Sequence, residues 1–281
     1  MILVTGATGT VGREVVAQLL VAGEKVRALT RNPSRAQLDE QVELVAGDFN
    51  QPETMAKAVE GVESIFSLAF GPQLAIQEAS LAQAGKKAGA RRIVKLSALR
   101  PGGEARSVIG TWHQASEQAI QNMGIAWTFV QPGAFMSNAL NWRDSIKGQG
   151  KVYSNYGDGK LAYIHPRDIA AVAVRALTEP GHEGKAYPVT GPEALSVSEL
   201  VQILSEAVGK PIEYVPITDD AAREGMQKAG LPPFLIDALL PFASFVRSGK
   251  GAETLPTVEQ VIGRKPLTFA DWAREHATDF R

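Results

Sequence analysis

The chain begins with a short apolar strand that runs directly into three evenly spaced glycines and then into a helical pattern. Residues 2–5 form the strand, and Gly6, Gly9 and Gly12 follow. Glycines at these positions permit a sharp turn, close approach of backbone N–H groups to a pyrophosphate, and tight packing of helix on sheet. A helix N-terminus also favours a phosphate group. We therefore expect a dinucleotide-binding βαβ unit. The predicted pyrophosphate loop consists of Gly6, Ala7, Thr8, Gly9, Thr10, Val11 and Gly12.

The residues after this loop favour the βαβ interpretation over a turn that is merely structural. Gly23 stands where a helix C-cap is needed, and residues 25–30 have the pattern of a second strand. Apolar residues between them fall on one helical face, namely Val11, Val15, Val16, Leu19 and Leu20.

The balance of charge argues against several classes of partner. The 281 residues include 29 basic and 30 acidic side chains, giving a formal net charge of −1, and no cysteine. We therefore expect no nucleic-acid partner, no thiolate metal site and no disulfide. Because no apolar run approaches roughly 18 residues, and a core strand starts the chain, we expect neither a membrane span nor a signal peptide. A cytoplasmic location fits these features best.

Valine- and isoleucine-rich runs alternate with helical patterns, which is typical of a parallel sheet. Strands are predicted at 25–30, 42–46, 64–70, 92–97, 126–130, 185–190 and 209–216. Helices are predicted at 52–59 with Asn50 as cap, 74–88, 111–123, 166–178 and 196–208. The predicted fold class is α/β, a Rossmann-type doubly wound parallel sheet with a smaller C-terminal α/β lobe.

The predicted domain division follows from the same pattern. Residues 1–150 form the NADP-binding Rossmann domain, completed by about 163–190, and 191–281 form a small substrate lobe, with 134–160 contributing to the cleft. Prolines 232, 233 and 241 predict that the last region breaks into short helices.

The end of the second strand favours NADP(H) over NAD(H). An acidic residue there binds the ribose hydroxyls of NAD, whereas a basic residue accommodates the 2′-phosphate of NADP. Here Arg31 occupies that place and Arg35 follows, although both could be solvated loop charges. Asp48 and Phe49 are candidates for contacts with the adenine, but Asp48 could equally be a turn residue before Asn50.

An ordered set of motifs resembles the NmrA-like, atypical short-chain dehydrogenase/reductases. The motifs are TGATGTVG at 5–12, LTRNPSRA at 29–36, GDFNQPE at 47–53, HQASE at 113–117 and YIHPRDIA at 163–170. The chain is most similar to the branch of triphenylmethane dye reductase and the NADPH quinone oxidoreductases. This resemblance implies a six- or seven-stranded Rossmann domain with a small lobe that closes over the nicotinamide.

The resemblance also implies roles for turns that follow the strands. It places Pro132, Gly133 and Phe135 at the nicotinamide end of the cofactor. Four residues at the end of the fourth strand are expected to flank the middle of the cofactor, or to serve ordinary core and turn packing. They are Leu68, Ala69, Phe70 and Gly71.

The helix expected to carry a catalytic Tyr-xxx-Lys dyad lacks it. From 107 to 142 the chain contains no tyrosine, lysine or arginine, and His113 and Glu117 stand one helical turn apart instead. Tyr156 and Lys160 have the right spacing, but two glycines between them indicate a turn. We therefore expect no dyad, with Tyr156 near the substrate.

Quinone-like and dye-like acceptors can take a hydride without enzymatic protonation, which suits a site of this kind. His113 is the candidate proton donor if one is needed, since histidine titrates near neutrality, although His113 and Glu117 could instead orient each other or a loop. Ser97 could contact the cofactor and hold a substrate carbonyl, or could merely leave room.

Aromatic and apolar residues after the sixth strand predict a pocket for a flat acceptor, or ordinary core. They are Met136, Trp142, Tyr153, Tyr156, Phe234 and Phe242. No histidine spacing indicates a metal site. The leading hypothesis is an NADPH-dependent reductase of aromatic or quinone-like acceptors, and the alternative is a non-catalytic NADP(H) sensor that acts through a protein partner.

Overall fold

The computed structural model describes residues 1–100 and 107–281, and its centre is a seven-stranded parallel sheet. Its strands are β1 (Ile2–Thr5), β2 (Val26–Thr30), β3 (Glu43–Ala46), β4 (Ser64–Ser67), β5 (Arg92–Leu96), β6 (Ala126–Pro132) and β9 (Lys185–Val189). Their order is β3-β2-β1-β4-β5-β6-β9, and Val4 of β1 pairs with Ala28 of β2 and Phe66 of β4. The strand order reverses beside β1, which opens a crevice at the carboxyl ends of β1 and β4.

Helices cover both faces of this sheet. They are α1 (Thr10–Val21), α2 (Met55–Ala58), α3 (Leu74–Lys87), α4 (Val108–Asn122) and α6 (Pro166–Thr178). Ile2 and Val4 pack with α1 and α6, whereas Leu3 packs on the opposite face with α2, α3 and α4. This alternation follows from the two-residue period of a strand.

A second core lies beyond the sheet and is built around buried aromatic residues. Trp272 and Phe269 stack there, and Phe280 meets the Trp272 ring edge-on. Its elements are α5 (Arg143–Gln149), β7 (Lys151–Ser154), β8 (Lys160–Leu161), β10 (Leu195–Ser196), α7 (Val197–Val208), β11 (Glu213–Pro216), α9 (Pro233–Arg247) and α11 (Phe269–His276). Helix α8 (Asp219–Lys228) packs on α9 through a separate small cluster of Ala222, Ile236 and Leu240. Strand β7 pairs with β11, and β8 pairs with β10. Helix α10 (Thr257–Ile262) packs instead against α6 of the main sheet.

Two local predictions are wrong. Pro241 does not end a helix, because it lies inside α9, which continues from Pro233 to Arg247. The helix predicted at 52–59 starts as a 3-10 turn, Pro52–Thr54, capped by Gln51 and not by Asn50. Within the described ranges, no helix is long and apolar enough to cross a lipid bilayer.

Candidate functional site

The glycine loop after β1 has the geometry that the sequence predicts. Gly6 has a positive φ of 62°, and the Gly9 N–H donates to the Gly6 carbonyl at 2.9 Å. A Cβ on Gly12 would lie 2.0 Å from the Gly6 oxygen, so the close approach of helix and loop requires glycine there. Helix α1 starts at Thr10 without a side-chain cap, which leaves its first-turn N–H groups available to an anion.

A cleft of about 520 Å³ lies at the carboxyl ends of β1 to β4. Nine of the predicted cofactor residues line it, namely Gly6, Thr8, Arg31, Arg35, Asp48, Phe49, Leu68, Ala69 and Phe70. The other members of the predicted loop and the strand end do not line it: Ala7, Val11, Gly12 and Gly71 are buried, and Gly9 and Thr10 are exposed at the start of α1. The lining also includes residues that sequence reasoning missed, namely Thr5, Leu29, Thr30, Asn32, Ala36, Gly47, Asn50 and Gln77.

The mouth of this cleft carries two exposed guanidinium groups. Within residues 1–100 and 107–281, neither Arg31 nor Arg35 forms a side-chain hydrogen bond or an ion pair, so both can reach an anion. Arg13, which the sequence analysis passed over, donates to the carbonyls of Thr8 and Gln37 at 2.9 and 2.6 Å. It thereby ties the glycine loop to the segment that carries the two arginines.

Asp48 occupies the position predicted for an adenine contact. One of its carboxylate oxygens accepts the Asn50 N–H at 2.9 Å, as expected of a turn residue, and the residue also lines the cleft. The geometry therefore accommodates both interpretations that the sequence left open.

A smaller, more apolar cavity of about 260 Å³ continues along the same edge of the sheet, at the carboxyl ends of β5, β6 and β9. The Leu99 N–H donates to the Pro132 carbonyl and the Gly133 N–H donates to the Val189 carbonyl, which fixes the floor of this cavity. Its lining comprises Ala98, Leu99, Ser107, Ile109, Gly110, Pro132, Gly133, Ala134, Asn138, Leu161, Ala162, Thr190, Ala238, Leu239, Phe242, Phe245, Lys250, Gly251, Glu253 and Leu255.

Several predicted pocket residues lie elsewhere. Pro132, Gly133 and Phe242 line the second cavity, but Phe135, Met136, Trp142, Tyr153, Tyr156 and Phe234 do not. Met136 is in the core of the second lobe, and Trp142 packs on that core. Phe135 pairs through its backbone with Ile164. Met136 and Trp142 thus serve the core, which was the open alternative, whereas Tyr153 and Phe234 are exposed.

His113 belongs to a buried polar cluster that also contains Lys95 and Glu78. The Lys95 ammonium lies 2.5 Å from a Glu78 carboxylate oxygen and 3.3 Å from His113 Nδ1. Ser67 and Ser116 each donate a hydroxyl to Glu78, at 2.8 and 2.5 Å. The Lys95 and Glu78 side chains are fully buried, so their charges are balanced by each other and by these hydrogen bonds.

The prediction that His113 titrates near neutrality is wrong. Burial, followed by the positive charges of Lys95 and Arg100, lowers the pKa of His113 to about 3. The side chain is therefore neutral at physiological pH and carries no spare proton to donate as an imidazolium. Because Lys95 donates to Nδ1, the neutral ring holds its proton on Nε2.

Glu117 does not pair with His113, as one alternative held, but with Arg100. The two side chains form a bidentate ion pair at 3.1 and 2.6 Å. Gln131 and Ser97 donate to the same carboxylate at 2.9 and 2.5 Å. Ser97 is thereby buried behind the cavity floor, outside both lining sets. Glu117 consequently holds the segment that follows β5, which agrees with the loop-orienting alternative.

Tyr156 and Lys160 are engaged with different neighbours. Lys160 donates to Glu199 at 2.6 Å, while Tyr156 packs edge-on against Phe242. Burial raises the pKa of Tyr156, whereas an activating lysine would lower it.

The chain matches a protein-family profile described as NAD(P)H-binding over residues 6–180. It is 42% identical over 283 residues to an NAD(P)H azoreductase of Xenophilus azovorans, covering 100% of this chain and 99% of that protein. It is also 42% identical over 284 residues to a (4-alkanoyl-5-oxo-2,5-dihydrofuran-3-yl)methyl phosphate reductase of Streptomyces griseus, with 100% and 99% covered.

Solved structures of similar proteins support the same assignment. The NADPH-dependent quinone oxidoreductase QOR2 of Escherichia coli, complexed with NADPH, superposes with a TM-score of 0.85 at 27% identity, covering 98% of this chain and 99% of that chain. The triphenylmethane reductase of Citrobacter sp., complexed with NADP(H), gives 0.84 at 27% identity, with 99% and 100% covered. The chain therefore belongs to the NAD(P)H-binding family, and its predicted kinship with quinone oxidoreductases and triphenylmethane reductases is confirmed.

Proposed function

We propose that this protein transfers a hydride from NADPH directly to conjugated, flat acceptors such as quinones, azo compounds and triphenylmethane dyes. The enzyme class, an NADPH-dependent oxidoreductase, follows from its relatives, which are named as reductases of azo compounds, quinones and triphenylmethane dyes. The observation that carries the choice of acceptor is the apolar cavity beside the cofactor cleft. Leu99, Phe242 and Phe245 give it the character of a site for an aromatic ring.

The residues of the first cleft suit NADPH. The α1 N-terminus and the glycine loop would hold the pyrophosphate, and Arg31 with Arg35 would bind the 2′-phosphate. Asp48 and Phe49 would contact the adenine. We place the nicotinamide near Pro132 and Gly133, because the second cavity opens along the same sheet edge.

Hydride transfer at this site requires positioning and exclusion of water more than acid catalysis. When bound, the cofactor supplies the hydride, and two electrons pass to the acceptor as NADPH becomes NADP⁺. Among the described lining residues of the second cavity there is no tyrosine or histidine. We infer that the reduced acceptor takes its proton from water and that no Tyr-xxx-Lys dyad takes part.

A turnover assay tests this proposal. NADPH oxidation should be measured with panels of quinones, azo dyes and triphenylmethane dyes, each against a blank without enzyme. Reduction of at least one class is expected. A panel without turnover, combined with unequal affinities for NADP⁺ and NADPH, would contradict the proposal and favour a redox sensor.

Replacing Arg31 should change the choice of cofactor. A charge-assisted hydrogen bond contributes roughly 1.5–3 kcal/mol, so Arg31→Ala should weaken NADPH binding by about tenfold to a hundredfold. NADH binding should barely change, because NADH has no 2′-phosphate. Both dissociation constants are to be measured by calorimetry at one salt concentration. Equal weakening for the two cofactors would mean that Arg31 supports the loop and does not bind the phosphate.

Replacing His113 should leave the chemical step almost intact. His113→Asn keeps an acceptor for Lys95, and single-turnover hydride transfer should stay within about tenfold of the wild type, ~1.4 kcal/mol in barrier. Since the pKa of His113 is about 3, its titration should contribute no inflection to the rate between pH 5 and 8. A loss on the order of a hundredfold or more, with a changed pH profile and normal NADPH binding, would make His113 the acid.

A further inference from the structure

Three aromatic side chains from distant parts of the chain meet between the two cavities. Trp112 lies between Phe70 and Phe234, with ring centroids 6.1 Å from each. The Phe70 ring is edge-on to the indole, and the Phe234 ring is tilted by 55°. We call these three residues the aromatic ledge.

The ledge is open to solvent, although it consists of large apolar groups. Phe70 is 55% exposed and Phe234 is 47% exposed. The two rings are supplied by the turn after β4 and the first turn of α9. Exposed aromatic surface that gathers at one spot marks a place where a partner or ligand binds.

The aromatic ledge lies between the cofactor cleft and the second cavity. Phe70 itself lines the cleft. Ile109 of α4 and Ala238 of α9 line the second cavity. Trp112 lies three residues after Ile109, and Phe234 lies four residues before Ala238. Residues at these spacings share one face of a helix, so the ledge continues the wall of the cavity outward.

The volume of the second cavity indicates which ligand would contact the ledge. Pockets that enclose drug-sized ligands have volumes of about 300–1,000 Å³, whereas this cavity has about 260 Å³. A cavity of about 150 Å³ already accommodates a single benzene ring. The nicotinamide that we place near Pro132 and Gly133 would take part of the second cavity, so one ring of an acceptor would fill the rest and the remainder of a larger acceptor would project over the ledge. Aromatic rings pack favourably against such a remainder through offset or edge-to-face contacts.

We propose that the aromatic ledge of Phe70, Trp112 and Phe234 binds the outer ring of extended acceptors while the ring that is reduced occupies the second cavity. This inference rests on the proposed reductase function. It makes Phe234 a determinant of specificity for acceptor size, and not a group that takes part in the hydride transfer.

A series of quinones of increasing size tests the ledge. We would compare benzoquinone, naphthoquinone and phenanthrenequinone as acceptors of Phe234→Leu, which stays apolar but loses the ring, and of Phe234→Tyr, which keeps it. For Phe234→Leu, kcat/KM for phenanthrenequinone should fall about five- to tenfold, while the value for benzoquinone stays within about twofold. Phe234→Tyr should restore the wild-type value.

The controls separate this inference from the proposed function. Val21→Ala removes an exposed apolar side chain from α1, on the opposite face of the sheet, and should leave all three acceptors unchanged. If the wild type reduces the quinones but Phe234→Leu affects them equally or not at all, the ledge is wrong and the function stands. If the wild type reduces none of them, the function and the ledge both fail for quinones.

Discussion

Lys95→Met should lower the free energy of unfolding by about 3–5 kcal/mol, the largest effect that we expect of any single substitution here. Methionine fits the volume, but it removes the partner of the fully buried Glu78 carboxylate. Ser67 and Ser116 would still donate to Glu78, although two hydroxyl groups do not balance a buried negative charge.

Thermal unfolding and urea denaturation should both detect this loss. For a chain of this size a change of 1 kcal/mol shifts Tm by roughly 2–4 °C, so a shift on the order of 10 °C is expected. The control is Lys95→Met combined with Glu78→Gln, which removes both charges and keeps an acceptor for the serines. The double variant should recover most of the stability. A double variant no more stable than the single one would show that the ion pair is not what Lys95 contributes.

The Lys95 cluster was beyond prediction from the sequence, for a physical reason. A lysine in the run RIVKLS is compatible with an exposed strand end, and Glu78 falls in an alanine-rich helix that has solvated positions. Glu78 and Lys95 are 17 residues apart in sequence, and the packing of α3 beside β5 brings them together. The signal available was a lysine flanked by apolar residues on both sides within a strand, because such a charge needs a partner if the strand is central.

The elements themselves were predictable because they depend on local patterns. All seven sheet strands were expected from β-branched runs, and α6 matches its predicted bounds of 166–178. Pro241 shows the limit of this reasoning, since tertiary packing of Ile236, Leu240 and Val246 keeps α9 continuous through it.

The two halves of the candidate site differed in how far the sequence could define them. The cleft that we assign to the cofactor is built largely from residues at and just after the ends of β1 to β4, so most of its lining follows from strand ends. The second cavity is lined largely by small residues such as Ala98, Ala162 and Gly251, which carry no sequence signal. Of the aromatic residues that suggested a pocket, only Phe242 lines this cavity, whereas Trp142 and Tyr156 pack on the second core and Tyr153 and Phe234 are exposed.

Gly9→Val should abolish tight NADPH binding in a protein that still folds. A Cβ at Gly9 would meet only the Gly6 carbonyl, at 3.3 Å, and the backbone angles of Gly9, φ −83° and ψ 175°, suit a β-branched residue. The valine methyl groups, however, would occupy the space that a pyrophosphate needs at the N-terminus of α1. We expect the dissociation constant to rise by more than about a hundredfold, ~2.8 kcal/mol.

Calorimetric titration with NADPH, alongside thermal unfolding without cofactor, separates binding from folding. Gly148→Val serves as the matched control, because a Cβ there meets nothing within 4 Å, and Gly148 lies on α5 outside both cavities. It should bind NADPH as the wild type does. A folded Gly9→Val protein with wild-type affinity would refute the pyrophosphate role of the glycine loop, because the substitution crowds the N-terminus of α1 and leaves Arg31 and Arg35 unchanged.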